Sequence, residues 1–220
     1  MHTIEAVIFD MDGLMFDTER LSQESWRLAG NDLGLVVPAS VTLRVIGHVI
    51  EDIRGILREE MGPEFPVEAF GSKANEHYQR LIEDKPFPIK PGLIELLDFL
   101  EVMGLKTAVA TSSRSTTAEK KLRAGGVRGR FPTVVSGDQV ANGKPAPDIF
   151  LEAARRLGLD PSKCIVLEDS EMGIRGACAA GMRAIMVPDL IIPNDEMRRL
   201  TTDIFPSLID FLVQFRRQLA

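Results

Sequence analysis

A chain of 220 residues, 45% hydrophobic and 26% charged, lies in the ordinary globular range and is long enough to bury a substantial core. Its 26 basic and 32 acidic side chains give a formal charge of −6, which argues against a nucleic-acid footprint of clustered Lys and Arg. No apolar run reaches the length of a membrane span, and Met1 to Glu5 leads straight into a strand-like run, so neither a membrane segment nor a leader is expected. Cys164 and Cys178 show no metal-ligand spacing and no disulfide framework; they read as buried thiols in a reducing, cytoplasmic setting.

In chain order, the apolar run 6–9 comes first and ends in Asp10-Met11-Asp12-Gly13. From Asp17 to about Lys85 no strand is evident. Trp26, Leu28, Leu33, Val45, Ile53, Ile56, Leu57, Tyr78 and Leu81 fit helices separated by Gly34, Pro38, Gly62-Pro63 and Pro66. A proline-rich return, Asp84 to Gly92, reads as a stiff linker. Helix patterns at 93–103, 116–123, 149–157 and 172–180 then alternate with β-rich runs at 107–110, 133–135, 164–167 and 184–187. In the first of these helices Ile94, Leu97 and Leu100 form an apolar side opposite Glu101, widened by Leu93, Leu96 and Phe99. Such alternation predicts an α/β fold, a doubly wound, Rossmann-like parallel sheet covered on both faces. The strandless interval predicts a helical insertion directly behind the first strand, dividing the chain into an α/β core (1–16 and 88–220) and a helical unit (17–87).

The candidate site residues all fall behind predicted strands, at the edge where open α/β sheets bind ligands. Asp10 and Asp12 place two acids a few ångströms apart, a costly arrangement that a divalent cation relieves. Thr111-Ser112-Ser113-Arg114 supplies hydroxyls and free N–H groups at a strand-to-helix turn, able to hold phosphate oxygens. In Gly143-Lys144-Pro145 the proline restrains the backbone that carries one fixed positive charge. Glu168-Asp169 adds two more strand-end acids, oxygen ligands suited to magnesium. Taken singly each group has a plain structural explanation, as a turn, a helix N-cap or a solvated lysine. Together they describe phosphoryl transfer: a nucleophilic carboxylate, a magnesium ion and positive groups that neutralise phosphoryl oxygens.

With the segments DMDGL, Thr111-Ser112, GKPAPDIF and LEDSEMGIRGACAAG, the sequence resembles the haloacid dehalogenase superfamily hydrolases that carry a helical cap after the first motif, over essentially its whole length. The resemblance implies Asp10 as the nucleophile that forms an aspartyl-phosphate and Asp12 as general acid/base. It implies Thr111, with Ser112, Ser113 and Lys144, as the phosphoryl-holding groups. Magnesium would be held by Asp10, the backbone carbonyl of Asp12 and Asp169, with Glu168 close by. An aspartate at position 12 favours phosphoester chemistry over dehalogenation. The expected activity is therefore that of a magnesium-dependent phosphatase acting on a small phosphorylated metabolite as a cytoplasmic monomer, with no nucleic-acid or membrane partner. Substrate choice would rest with the cap, where Glu19, Arg44, His48 and Arg54 are the polar candidates, His48 first among them; His77 reads as an exposed helix residue.

Two relatives within the family compete. β-Phosphoglucomutases share the core motifs but carry a histidine in the first cap helix, where this chain has Ser22, and a cap arginine that aligns near Ile50. Pseudouridine-5′-phosphatase-type enzymes are similar in the stretches around Asp10 to Leu21, Ala180-Gly181-Met182 and Met186-Val187-Pro188-Asp189. Outside the family, phosphoacceptor receiver domains use the same groups but lack the helical insertion, and a binding protein on the same fold is a further alternative.

Overall fold

A computed structural model describes residues 4–46, 48, 50–83 and 87–219. Gly47, next to His48, and Asp84, Lys85 and Pro86, in the proline-rich return, lie outside the described residues.

Six parallel strands form one sheet in the order β3-β2-β1-β4-β5-β6. They are β1 (Ala6–Phe9), β2 (Lys106–Thr111), β3 (Thr133–Ser136), β4 (Cys164–Glu168), β5 (Arg183–Met186) and β6 (Asp203–Ile204). The five strands read from the sequence are present; β6 is an addition of two residues, too short and too polar to register as an apolar run. Side chains alternate across the sheet as the pleat requires. Val7, Phe9, Val109, Ile165 and Leu167 face one layer with α5 (Leu93–Val102), α6 (Ser115–Ala124) and α10 (Leu208–Leu219). Ala6, Ile8, Ala108, Ala110 and Val166 face the other with α7 (Asp148–Leu157), α8 (Glu171–Ala179) and α9 (Asp195–Leu200). Burial on both faces explains why the central strands are apolar throughout rather than alternating.

The helices agree with expectation to within a residue or so at each end, with two differences in detail. In α5 the buried stripe is Leu93, Leu96, Leu97 and Leu100, while Ile94 points outward. α9 and α10 lie beyond the expected helices; in α10 Leu208, Phe211, Leu212 and Phe215 stand at helical spacing and are buried.

Between β1 and α5 the chain forms α1 (Thr18–Leu33), α2 (Ala39–Arg44), α3 (Ile50–Met61) and α4 (Val67–Glu83), with no sheet strand among the described residues of this stretch. These helices bury an apolar cluster of their own, in which Val41, Leu57, Phe65 and Phe70 pack with Trp26 of α1 edge-on to Phe70. No helix of the described residues is long and apolar enough to cross a membrane. Cys164 is buried in the sheet, but Cys178 is only half-buried on α8, a correction to the reading of both thiols as buried. His77 is likewise not exposed: its side chain is 13% accessible and its Nε2 lies 3.0 Å from Asp32 Oδ2 on α1.

Candidate active site

In this strand order the chain reverses direction across the sheet between β1 and β4, so the crevice outside their carboxyl ends is the natural ligand position. Asp10 follows β1, Thr111 ends β2, and Glu168 ends β4 with Asp169 behind it. Lys144 reaches the same point from the loop before α7, where the Lys144–Pro145 peptide is cis.

Asp10, Glu168 and Asp169 each offer an oxygen within 4.8 Å of the others, all three residues being buried. Lys144, 3% exposed, contacts Asp10 Oδ1, sits 2.5 Å from Glu168 Oε1 and donates to the Ala110 carbonyl at 3.1 Å. The ammonium thus has its donors taken by protein. Its ring neighbour is Phe150, whose centroid lies 5.1 Å away. Glu168 is equally engaged: Oε2 accepts from the N–H groups of Asp169 and Ser170 and from Ser170 Oγ, each at 2.9 Å. It therefore acts on Lys144 and on the turn into α8, and it is less free for a cation than the sequence alone suggests. An added Cβ at Gly173 would collide with its carboxylate, which explains the glycine there. Among the described residues no side-chain donor is recorded for the carboxylate of Asp169 or for Asp10 Oδ2.

The electrostatics follow from this packing. Burial pushes the Asp10 carboxyl well above its ordinary range; Lys144 pulls it back, while Glu168 pushes it further up. Asp169 is raised by burial first and then by Glu168 and Asp10. Three buried carboxylates lie around one ammonium, which pairs with Asp10 and Glu168, so the corner carries an excess of negative charge that is costly when dry. Gly13, at φ +85°, passes so close that a Cβ would collide with the Asp169 carboxylate; the positive φ and the contact both require glycine.

Asp12 stands apart from that cluster. Its Oδ1 accepts from Thr18 Oγ1 at 2.5 Å and pairs with Lys121 Nζ at 2.5 Å; its Oδ2 accepts from Ser113 Oγ at 2.9 Å. Burial opposes its ionisation, but Lys121 and the two hydroxyls outweigh burial and hold the carboxyl below its ordinary value. The metal grouping expected at this end of the sheet therefore does not include the Asp12 side chain. Thr111 Oγ1, almost fully buried, accepts from the Ser113 N–H at 3.1 Å, and the Ser112 main chain packs against Gly137.

A cleft of about 1010 Å³ runs from Lys144 and Pro145 to the helices of the inserted layer. Arg44, His48, Asp52 and Ile56 line one side; Met172, Arg175 and the stretch Leu190, Ile191 and Ile192 line the other. Of the cap candidates, Arg44 and His48 lie on this cleft, whereas Arg54 pairs with Glu68 at 3.0 Å. Arg44 is held by Glu59 at 2.8 Å and by Glu60, and His48 Nδ1 lies 3.2 Å from the Ile46 carbonyl. Glu19 sits instead beside Asp12. Burial, then the Asp12 charge, pushes its carboxyl up to about 7. Motif reading missed two partners of Asp12: Thr18, and Lys121, whose signal is a lysine on the inward stripe of α6 with Ala118 and Leu122.

The profile of the haloacid dehalogenase-like hydrolases matches residues 4–181, and the chain belongs to that family. It is a hydrolase, and several of its curated relatives carry phosphatase names. The "Phosphorylated carbohydrates phosphatase" of Thermotoga maritima is 35% identical over 83% of this chain and 84% of its own length. The "Probable pseudouridine-5′-phosphatase" of Drosophila melanogaster is 33% identical over 93% of this chain and 90% of its own. Among solved structures, CbbY from Rhodobacter sphaeroides in complex with phosphate aligns with a TM-score of 0.80 at 28% identity, covering 95% of this chain and 96% of that one.

Proposed function

We propose that this protein is a magnesium-dependent phosphatase that hydrolyses a small phosphorylated metabolite, a sugar phosphate or a nucleotide-like monophosphate, through an aspartyl-phosphate on Asp10. The observation that carries the reading is the buried group of Asp10, Glu168 and Asp169 with one lysine at the switch point of the sheet. Its surplus negative charge and the carboxylate oxygens without recorded donors fit a hard divalent cation, which takes oxygen ligands. Asp10 and Asp169, with the backbone carbonyl of Asp12, are the groups that would hold it. When bound, magnesium supplies positive charge that keeps Asp10 ionised and neutralises phosphoryl oxygens.

In this mechanism an Asp10 carboxylate oxygen attacks phosphorus, and the bond from phosphorus to the leaving oxygen breaks. Asp12 gives that oxygen its proton. Water then attacks the same phosphorus, Asp12 takes the water proton, and Asp10 is released with inorganic phosphate. The ionised Asp12 of the free site is the base form; negative charge on an entering phosphoester offsets Lys121 and favours the acid form. Thr111, the Ser112 and Ser113 turn and Lys144 hold the phosphoryl oxygens, Lys144 chiefly as a fixed charge because its donors are engaged. The helical unit of residues 17–87 is the cap that excludes water and selects the leaving group through Glu19, Arg44 and His48.

The test is release of phosphate from p-nitrophenyl phosphate with magnesium and with chelator, followed by a screen of phosphorylated sugars and nucleoside monophosphates. Magnesium-dependent turnover is expected; no turnover in either condition contradicts the reading. Conversion of β-glucose 1-phosphate to glucose 6-phosphate faster than phosphate release would replace it with a mutase.

A further inference from the structure

Three side chains hold Asp12: Thr18 at the start of α1, Ser113 behind β2 and Lys121 in the last turn of α6. Lys121 projects from the inward stripe of α6, with only 11% of its side chain exposed. Its ammonium lies 2.5 Å from Asp12 Oδ1 and 5.5 Å from the centroid of the Tyr78 ring, which packs over it from α4. Thr18 at the start of α1 and Ser113 behind β2 hold the same carboxylate, but as neutral hydroxyls. Of the three groups bonded to Asp12, Lys121 alone brings charge. Placing a lysine on a helix face that otherwise carries Ala118 and Leu122 has a desolvation cost, which the pairing with Asp12 offsets.

We propose that Lys121 is a positioning residue for Asp12, fixing its carboxylate in the orientation from which it exchanges a proton with the leaving-group oxygen and with water. The inference rests on the acid/base reading of Asp12 given above. The two hydroxyls, one on each oxygen, leave the carboxylate's charge unmatched; Lys121 supplies that charge and a second donor on Oδ1. Tyr78 confines the ammonium from the helical layer, so α4, α6 and the loop behind β1 converge on one proton-carrying group.

The experiment compares wild type, Lys121→Met, Asp12→Asn and the double variant on p-nitrophenyl phosphate and on phenyl phosphate, whose poorer leaving group needs a proton more. For Lys121→Met, kcat should fall while KM stays within about twofold, with a loss about tenfold larger on phenyl phosphate. The double variant should be no slower than Asp12→Asn, because residues that act as one unit are not additive. Should Lys121→Met fail to fold, Lys121→Gln carries the same comparison, since it keeps a donor but not the charge. Equal losses on both esters with additive effects in the double variant, or unchanged kcat, would overturn the proposal for Lys121 alone. Full activity of Asp12→Asn would overturn it together with the acid/base reading.

Discussion

Charged side chains at the carboxyl edge of the sheet and in the helical layer above it are used in opposite ways. At the sheet edge Asp10, Glu168, Asp169 and Lys144 face one another in near-complete burial. In the helical layer Arg44, Arg54 and Arg80 stay solvated and pair with Glu59, Glu68 and Glu76 across or along exposed surfaces. Buried charges interact strongly and lose much when one partner is removed; exposed pairs contribute little. Under the proposed function, the first region holds the reacting groups in fixed geometry and the second is free to vary in what it contacts.

The contrast can be broken at either end. The largest effect is expected at the nucleophile: Asp10→Asn should lower kcat by about 10³-fold or more, read as phosphate release under saturating substrate. Asp12→Ala should follow, at about 10²–10⁴-fold, with an unchanged far-ultraviolet circular dichroism spectrum. Lys144→Ala leaves buried carboxylates without their cation and should cost about 3–5 kcal/mol in urea unfolding measured with chelator present. Gly13→Ala should cost about 1–3 kcal/mol on the same assay, because it strains a left-handed backbone and displaces Asp169.

Smaller still is the effect of Glu19. Its folded-state value of about 7 lies above the ordinary 4.5, so its protonated form favours the folded state. That contribution is complete below pH 4.5 and is lost as pH rises through about 7. Glu19→Gln, which mimics the protonated acid, should therefore raise Tm at pH 8 by about 3 °C and leave it nearly unchanged at pH 4. At the far end, Arg80→Ala should leave Tm and turnover of p-nitrophenyl phosphate unchanged, since the guanidinium is exposed and bound to Glu76 of its own helix. A large loss in Arg80→Ala, or none in Lys144→Ala, would erase the distinction between the two regions.

Much of the α/β core was legible because each central strand is a continuous apolar run stopped by a polar residue with work to do: Phe9 by Asp10, Leu167 by Glu168, Ala110 by Thr111. Period and composition suffice when a strand is buried on both faces. β6 was not legible, since two residues at a sheet edge bear no pattern. α10 carries a readable stripe of its own in Leu208, Phe211, Leu212 and Phe215. The partners of the site are harder to read. Lys121 and Asp12 are 109 positions apart, and only folding brings them together; the local trace is a lysine out of place on an apolar face. Glu168 looked like a free acid because a sequence does not display the two backbone N–H groups that occupy it.

The central claim is that the Asp10 carboxylate itself carries the phosphoryl group. Rapid acid quench of the Asp12→Asn variant during turnover, followed by peptide mapping by mass spectrometry, tests it directly, because that variant lacks the base that clears the intermediate. Phosphate on the peptide containing Asp10, and none in Asp10→Asn treated identically, is the predicted result. Turnover in Asp10→Asn, or phosphate found on another residue, would contradict it.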